Sequence, residues 1–350
     1  AGVAVAVLAG SAAQAQMSDG MIKIGVLTDM SSLYTDLAGA GSVQAAKMAV
    51  EDFGAAGKGM KVEIISADHQ NKADVGSTTA RSWYDVEKVD VIVDVPNSGV
   101  ALAVNEVTRE KNKVFLVSGA ASSDLTGPKC SPNTVHWTYD TWALANGTGN
   151  AIVKTGGDSW FFLTADYAFG HALERDTEAV VTKNGGKVLG KVRHPLNNAD
   201  FSSFLLQAQA SKAKIIGLAN AGGDTTNSIK QAAEFGIVKG GQNLAGLLVF
   251  LTDVHGLGLQ TAQGLIMTEA WYWDMNDANR AFAKRFAAAN KGIHPTMVHA
   301  GVYSAVFHYL KAVEALKSDA DGKAVVEKMK ATPTDDTLFG KGTIRKDGRK

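Results

Sequence analysis

Small hydroxyl, amide and glycine residues crowd two short stretches, "PNSG" at 96–99 and "SGAASSD" at 118–124, each directly after an apolar run. That composition suits the binding of an anion. Helix N-termini offer unpaired N–H groups and partial positive charge, and small side chains let an anion approach the backbone closely. Asn97, Ser98, Ala120, Ala121 and Ser122 are therefore candidates for a carboxylate cradle. A lone serine in such a place is more often an N-cap or turn residue, so the weight rests on two such stretches lying side by side on one sheet edge. A second group consists of "TADYAFG" at 164–170, "NAGGD" at 220–224 (with Gly222 in its turn) and "TDVHG" at 252–256. It carries Asp166, Tyr167, Phe169, Asp253 and His255. Facing the first group across a cleft, these residues would supply a ring-lined wall and a negative charge suited to an ammonium or hydroxyl donor.

Catalytic and cofactor motifs largely fail. "GGKVLGK" at 185–191 has the spacing of a phosphate loop, but Val192 replaces the hydroxyl that magnesium needs, and the stretch reads as turn then strand. "GTGNAI" at 147–152 lacks the third glycine and a preceding strand, and there is no G-x-S-x-G elbow. The eight histidines show no ligand spacing; His294 and His299 straddle Pro295 five residues apart. Structural roles are expected for them, with His255 the one of interest. Asp29, Asp36, Asp166 and Asp253 would make an acid/base pair only at separations that the sequence does not give. The chain is expected not to be an enzyme, and no cofactor or metal is implied.

The elements that position these loops come from alternation along the chain. Runs at 22–27, 61–66, 90–95 and 114–117 read as buried strands, with Val43, Ala46, Val50 and Phe53, then Ala101, Val104 and Val107, at helical spacing between them. The pattern restarts with strands at 159–164, 186–192, 214–219 and 247–251, and helices at 169–183 and 225–235. Two further helices follow at 278–289 and 297–316. The fold class expected is α/β, with two Rossmann-like lobes built on parallel sheets and joined by short hinge crossings. In such sheets ligands bind beyond the carboxyl ends of the strands, where the quoted loops lie.

Composition limits the partners. With 350 residues, 45% of them apolar, the chain fills two domains, and its 35 basic and 35 acidic residues leave no footprint for nucleic acid. Cys130 is the sole cysteine, free and structural, so the core does without disulfides. Residues 1–15 are small and apolar and end in Ala13-Gln14-Ala15, which reads as the remnant of a secretory signal peptide. Export to a bacterial periplasm follows.

In their order, "IKIGVLTDMSS", "VFLVSGAASSDLTG", "TADYAFGHALERD" and "NAGGDTTNSIKQAAEFG" resemble the type I periplasmic solute-binding proteins of ABC transporters, specifically the leucine/isoleucine/valine-binding branch. The resemblance runs from Met21 to Lys350. It implies an N-terminal lobe of residues 21–138 and 270–350, a C-terminal lobe of 139–269, and closure of both on a small carboxylate. It places the carboxylate on Ser98, Ala120 and Ser122, aromatic contacts near Tyr34 and on Phe169 with Tyr167 close by, and an α-amino acceptor near Asp253. Two departures bear on the ligand: Phe169 stands where a tyrosine is common, and the acid is the shorter Asp253 with His255 close by. The chain also stops at "TIRKDGRK", where relatives continue through another crossing and strand. A branched-chain or other hydrophobic amino acid, an aromatic acid and an amide all remain open as ligands. The expected partner is a membrane permease, and the expected state is a monomer. A ligand-sensing receptor of the same fold, and an enzyme using the cleft acids, are the alternatives.

Overall fold

The computed structural model describes residues 17–350. The signal-peptide reading of residues 1–15 lies outside the described residues. The first lobe alternates β1 (Ile22–Thr28), α1 (Gly39–Phe53), β2 (Val62–Asp68), α2 (Ala73–Asp85), β3 (Val91–Asp94), α3 (Ser98–Lys111), β4 (Val114–Val117) and β5 (Thr134–His136). Its strands make one parallel sheet in the order β2-β1-β3-β4-β5. Helices cover both faces, so β3 and β4 are buried at every position and, apart from Asp94 at the end of β3, their sequences are continuous apolar runs rather than alternating ones. Cys130 is free and exposed in the loop before β5.

The chain then crosses to the second lobe through α4 (Thr141–Leu144) and α5 (Asn150–Lys154), joined by a π-helical turn. There follow β6 (Ser159–Ala165), α6 (Ala168–Lys183), β7 (Lys187–His194), α7 (Ser202–Ala210), β8 (Ile215–Ala219), α8 (Gly223–Glu234), β9 (Asn243–Gly246) and α9 (Leu251–Leu257). This sheet is parallel too, in the order β7-β6-β8-β9. The chain returns through an irregular segment to α10 (Asp277–Ala289), α11 (Met297–Leu316), α12 (Gly322–Ala331) and a hairpin of β10 (Thr334–Asp336) and β11 (Gly340–Gly342). Helix α11 lies along α1, and Arg349 reaches Asp140 at 2.8 Å beside β5.

The α/β architecture with parallel sheets is as the alternation of runs predicts, and β4 and α11 have the predicted bounds. The run at 247–251 is different. The ladder ends at Gly246, and Leu251 already opens α9. Leu247 to Phe250 are buried without strand pairing, because they lie between the lobes rather than beside a neighbouring strand. Burial accounts for the apolar run; the strand reading needed a hydrogen-bonding partner that the topology does not provide. Sequence periodicity also gave no sign of β5, three residues long. No helix among the described residues is long and apolar enough to cross a membrane.

Candidate functional site

Loops from both lobes meet around a tight chamber with about 10 Å³ of free space. The first lobe contributes Tyr34, Leu37, Pro96, Gly119 and Ala121, and Tyr139 stands at the crossing. The second contributes Tyr167, Phe169, Ala221, Leu248 and Phe250. None of these side chains is charged.

Local chemistry fixes each wall. The buried Asp29 carboxylate accepts from Ser32 N at 3.0 Å, Tyr34 N at 2.8 Å and Asn71 Nδ2 at 2.7 Å, which folds the loop that presents Tyr34. Tyr167 is the N-cap residue of α6 and Phe169 lies in its first turn, so one helix start delivers both rings. The Tyr34 and Tyr167 hydroxyls hydrogen-bond to each other across the cleft at 2.5 Å. Tyr139 donates its hydroxyl to Gly119 O at 2.6 Å, and its ring meets Phe250 edge-on at 6.0 Å. Gly222 holds φ +57°, and a Cβ there would lie 2.5 Å from Leu33 O of the other lobe. Only glycine allows the lobes to approach this closely.

The predicted carboxylate cradle divides into wall and backing. Ala121 is on the wall. Behind it, the N–H groups of Ala121 and Ser122 donate to Ser98 Oγ at 3.2 and 3.1 Å. Having accepted both, Ser98 Oγ keeps its own proton to donate. Ser122 Oγ accepts from Asp124 N at 3.3 Å and likewise keeps its proton. Asn97 uses its side-chain oxygen to cap α3 through Val100 N at 3.1 Å, while the Ala120 carbonyl bonds to His136 Nε2 at 2.8 Å. Polar contacts across the lobes brace this loop: Arg175 Nη1 donates to Asp124 at 3.0 Å, and Ser123 Oγ donates to Asp176 at 2.7 Å.

Gly222 and Asp253 belong to an adjoining open recess of about 450 Å³, shared with Ser32, Asp36, Asn197 and Lys230. The Asp253 carboxylate accepts from Phe250 N at 2.8 Å and so caps its own helix, α9. His255 is exposed on α9, and Asp166 is an exposed partner of His171. His294 stacks on Trp273 at 4.1 Å, and His299 bonds to Ala38 O, both structural roles. Among the described residues no group of His, Cys, Asp or Glu has the arrangement of a metal site.

Acids surround the chamber without lining it. Burial pushes Asp94 and Asp253 up to about 7 and Asp224 to about 6, and raises Glu269 well above the usual range, with Asp253 beside it adding to the shift. Asp94 lies under the floor: neither carboxylate oxygen has a hydrogen-bond partner, and a Cβ on Gly119 would sit 2.9 Å from Oδ1. The Ser42 and Thr28 hydroxyls beside it offset its burial only in part. Asp94 and Val95 hold φ of +81° and +53°, a strained pair that turns the chain from β3 toward the start of α3.

Sequence reasoning brought Tyr34, Ala121, Tyr167 and Phe169 to the wall and missed Leu37, Pro96, Gly119, Tyr139, Ala221, Leu248 and Phe250. All of those except Leu37 and Tyr139 lie inside stretches already marked as loop tips or as the run at 247–251. Tyr139 follows a three-residue strand at the crossing, where no periodic pattern points to it.

Residues 21–350 match the family model described as periplasmic binding protein. A crystal structure of a periplasmic binding protein from Burkholderia mallei is 54% identical, with a TM-score of 0.91 over 95% of this chain and 87% of that one. A branched-chain amino acid ABC transporter periplasmic ligand-binding protein from Burkholderia xenovorans LB400 is 40% identical, with a TM-score of 0.81 over 94% of this chain and 87% of its own. A Leu/Ile/Val-binding protein homolog 6 from Brucella melitensis is 26% identical over 306 residues, 79% of this chain and 77% of the relative. With two parallel α/β lobes meeting at an uncharged chamber, and a family match along nearly its whole length, the chain belongs to the periplasmic binding protein family.

Proposed function

We propose that this protein captures a small carboxylate with an apolar body between its lobes and hands it to an ABC permease in the inner membrane. The observation that carries the reading is the chamber itself: ring-lined and uncharged, with hydroxyl donors and the N-terminus of α3 gathered behind Ala121. A carboxylate there would accept hydrogen bonds from the Ser98 and Ser122 hydroxyls beside the start of α3, while the ligand body meets Phe169, Leu248 and Phe250. Charge-assisted hydrogen bonds contribute about 1.5–3 kcal/mol each and apolar burial about 25 cal/mol per Å², enough for micromolar capture after ordering costs. With only about 10 Å³ free between these walls, a ligand enters only when the lobes part. The lobes, taken as residues 21–138 with 270–350 and residues 139–269, would move as two bodies about the crossings, as a periplasmic monomer.

Titration calorimetry of the purified protein against aliphatic and aromatic carboxylates and hydrophobic amino acids tests this. At least one should bind at micromolar concentration or tighter, and Ser122→Ala should weaken it by about 1–3 kcal/mol. A panel without binding defeats the reading; tight binding indifferent to Ser122→Ala leaves that serine as a cap alone.

A further inference from the structure

Outside the chamber, a hydrogen-bond network fastens the first-lobe stretch 118–124 to α6 of the second lobe. Asp176 stands two turns after Phe169 on α6, so the helix that delivers a ring to the chamber wall also delivers a carboxylate to the loop behind Ala121. Its Oδ2 accepts from Ser123 Oγ at 2.7 Å and from Thr141 Oγ1 at 2.5 Å, and its Oδ1 accepts from Arg175 Nε at 2.9 Å. Arg175 also donates to Ser123 Oγ at 2.8 Å and to Asp124 Oδ1 at 3.0 Å. Thr141, the first residue of the crossing helix α4, accepts from Ser123 N at 3.0 Å. Each hydroxyl in the set both gives its proton and accepts one, so neither has a proton to spare.

The two arms of the network differ in weight. The Arg175 side chain is 52% exposed, so its pair with Asp124 is screened by salt and contributes little by itself. The Asp176 side chain is 13% exposed and accepts three charge-assisted hydrogen bonds, whose loss would leave two hydroxyls without their acceptor. Resting on the capture reading above, we infer that this network is an inter-lobe clamp, made as the lobes close and broken as they part, with Asp176 as a positioning residue that sets affinity without touching the ligand. A clamp that meets no ligand atom stabilises every closed complex alike. It should therefore raise affinity by one common factor and leave the ranking of ligands as the chamber sets it.

The experiment compares wild type with Asp176→Asn, Asp124→Asn, Ser123→Ala and Ser123→Thr. It uses calorimetric titration with leucine, phenylalanine, benzoate and phenylacetate, thermal melting, and small-angle scattering of the unliganded proteins. Asp176→Asn should weaken every ligand that binds wild type by about tenfold, with the ratios between ligands constant within about twofold. Ser123→Ala should weaken them similarly, and Ser123→Thr, which keeps the hydroxyl, should restore most of the loss. Asp124→Asn should cost no more than about threefold, and nothing at about 0.5 M salt. Unliganded Asp176→Asn should also show a larger radius of gyration than wild type. A lowered melting temperature with affinity and radius unchanged would make the network a staple that persists when the lobes part, and would overturn the inference. Losses that differ from ligand to ligand would overturn it too, because the loop would then act through ligand contacts. If no probe and no other carboxylate of the wider panel binds wild type, the capture reading falls, and the radii alone decide the clamp: equal radii overturn it.

Discussion

Asp94 is where one residue sets the solution behaviour of the whole site. A carboxylic acid raised to about 7 by burial holds its proton in the folded state over a range, roughly pH 4 to 7, in which the unfolded chain has released it. The native state then binds more protons, so this group's contribution to stability falls as pH rises through that window. Buried His69, His136 and His299, each pulled down to about 4 by desolvation, act in the opposite sense between about pH 4 and 6.5. Comparing Asp94→Asn with wild type cancels those histidines. The variant should gain about 4 kcal/mol relative to wild type at pH 8 but only about 1.5 kcal/mol at pH 5, read from urea unfolding at both values. The same difference at both pH values would mean that Asp94 ionises freely. On the proposed reading, ionisation of Asp94 above pH 7 would also place negative charge beside the bound carboxylate, so affinity should weaken in the same direction.

At the scale of elements, α3 links folding to binding. Asn97 caps its N-terminus through Val100 N, and on the proposed reading that positive end faces the ligand carboxylate. Asn97→Ala should cost about 1 kcal/mol of stability and weaken carboxylate binding, with Asn97→Ser restoring most of both. Denaturant midpoints and calorimetry check this together; a stability loss without any change in affinity would separate the helix start from the ligand. The elements themselves were largely legible. Val114–Val117 is a strand wherever helices cover both faces of a sheet, and the apolar stripe from Val298 to Val313 admits one helix. The site was legible only in part, because its walls are not periodic. Leu248 and Phe250 have the composition of a core strand but face the cleft, and Tyr139 is placed by a crossing rather than by an element. Asp253 reads as an amine acceptor by its place in the chain, yet the turn Phe250–Asp253 lets it cap its own helix. Which partner a carboxylate finds depends on backbone geometry, and residue order does not encode that directly.

For the molecule as a whole, the proposed capture makes binding and lobe closure one equilibrium. Gly222 packs against Leu33 and Tyr34 of the first lobe with no room for a Cβ, so Gly222→Ala should hold the cleft ajar. Ligand affinity should fall about tenfold or more, and small-angle scattering of the ligand-saturated variant should show a larger radius of gyration than wild type. Undiminished affinity would place closure somewhere short of the Leu33 contact. The chain also carries what is needed to watch this motion. Cys130 is its single thiol and stands exposed on the first lobe, so one maleimide fluorophore attaches at one known position without any substitution. An acceptor dye on a cysteine introduced into the second lobe would turn the protein into an optical reporter of its own ligand.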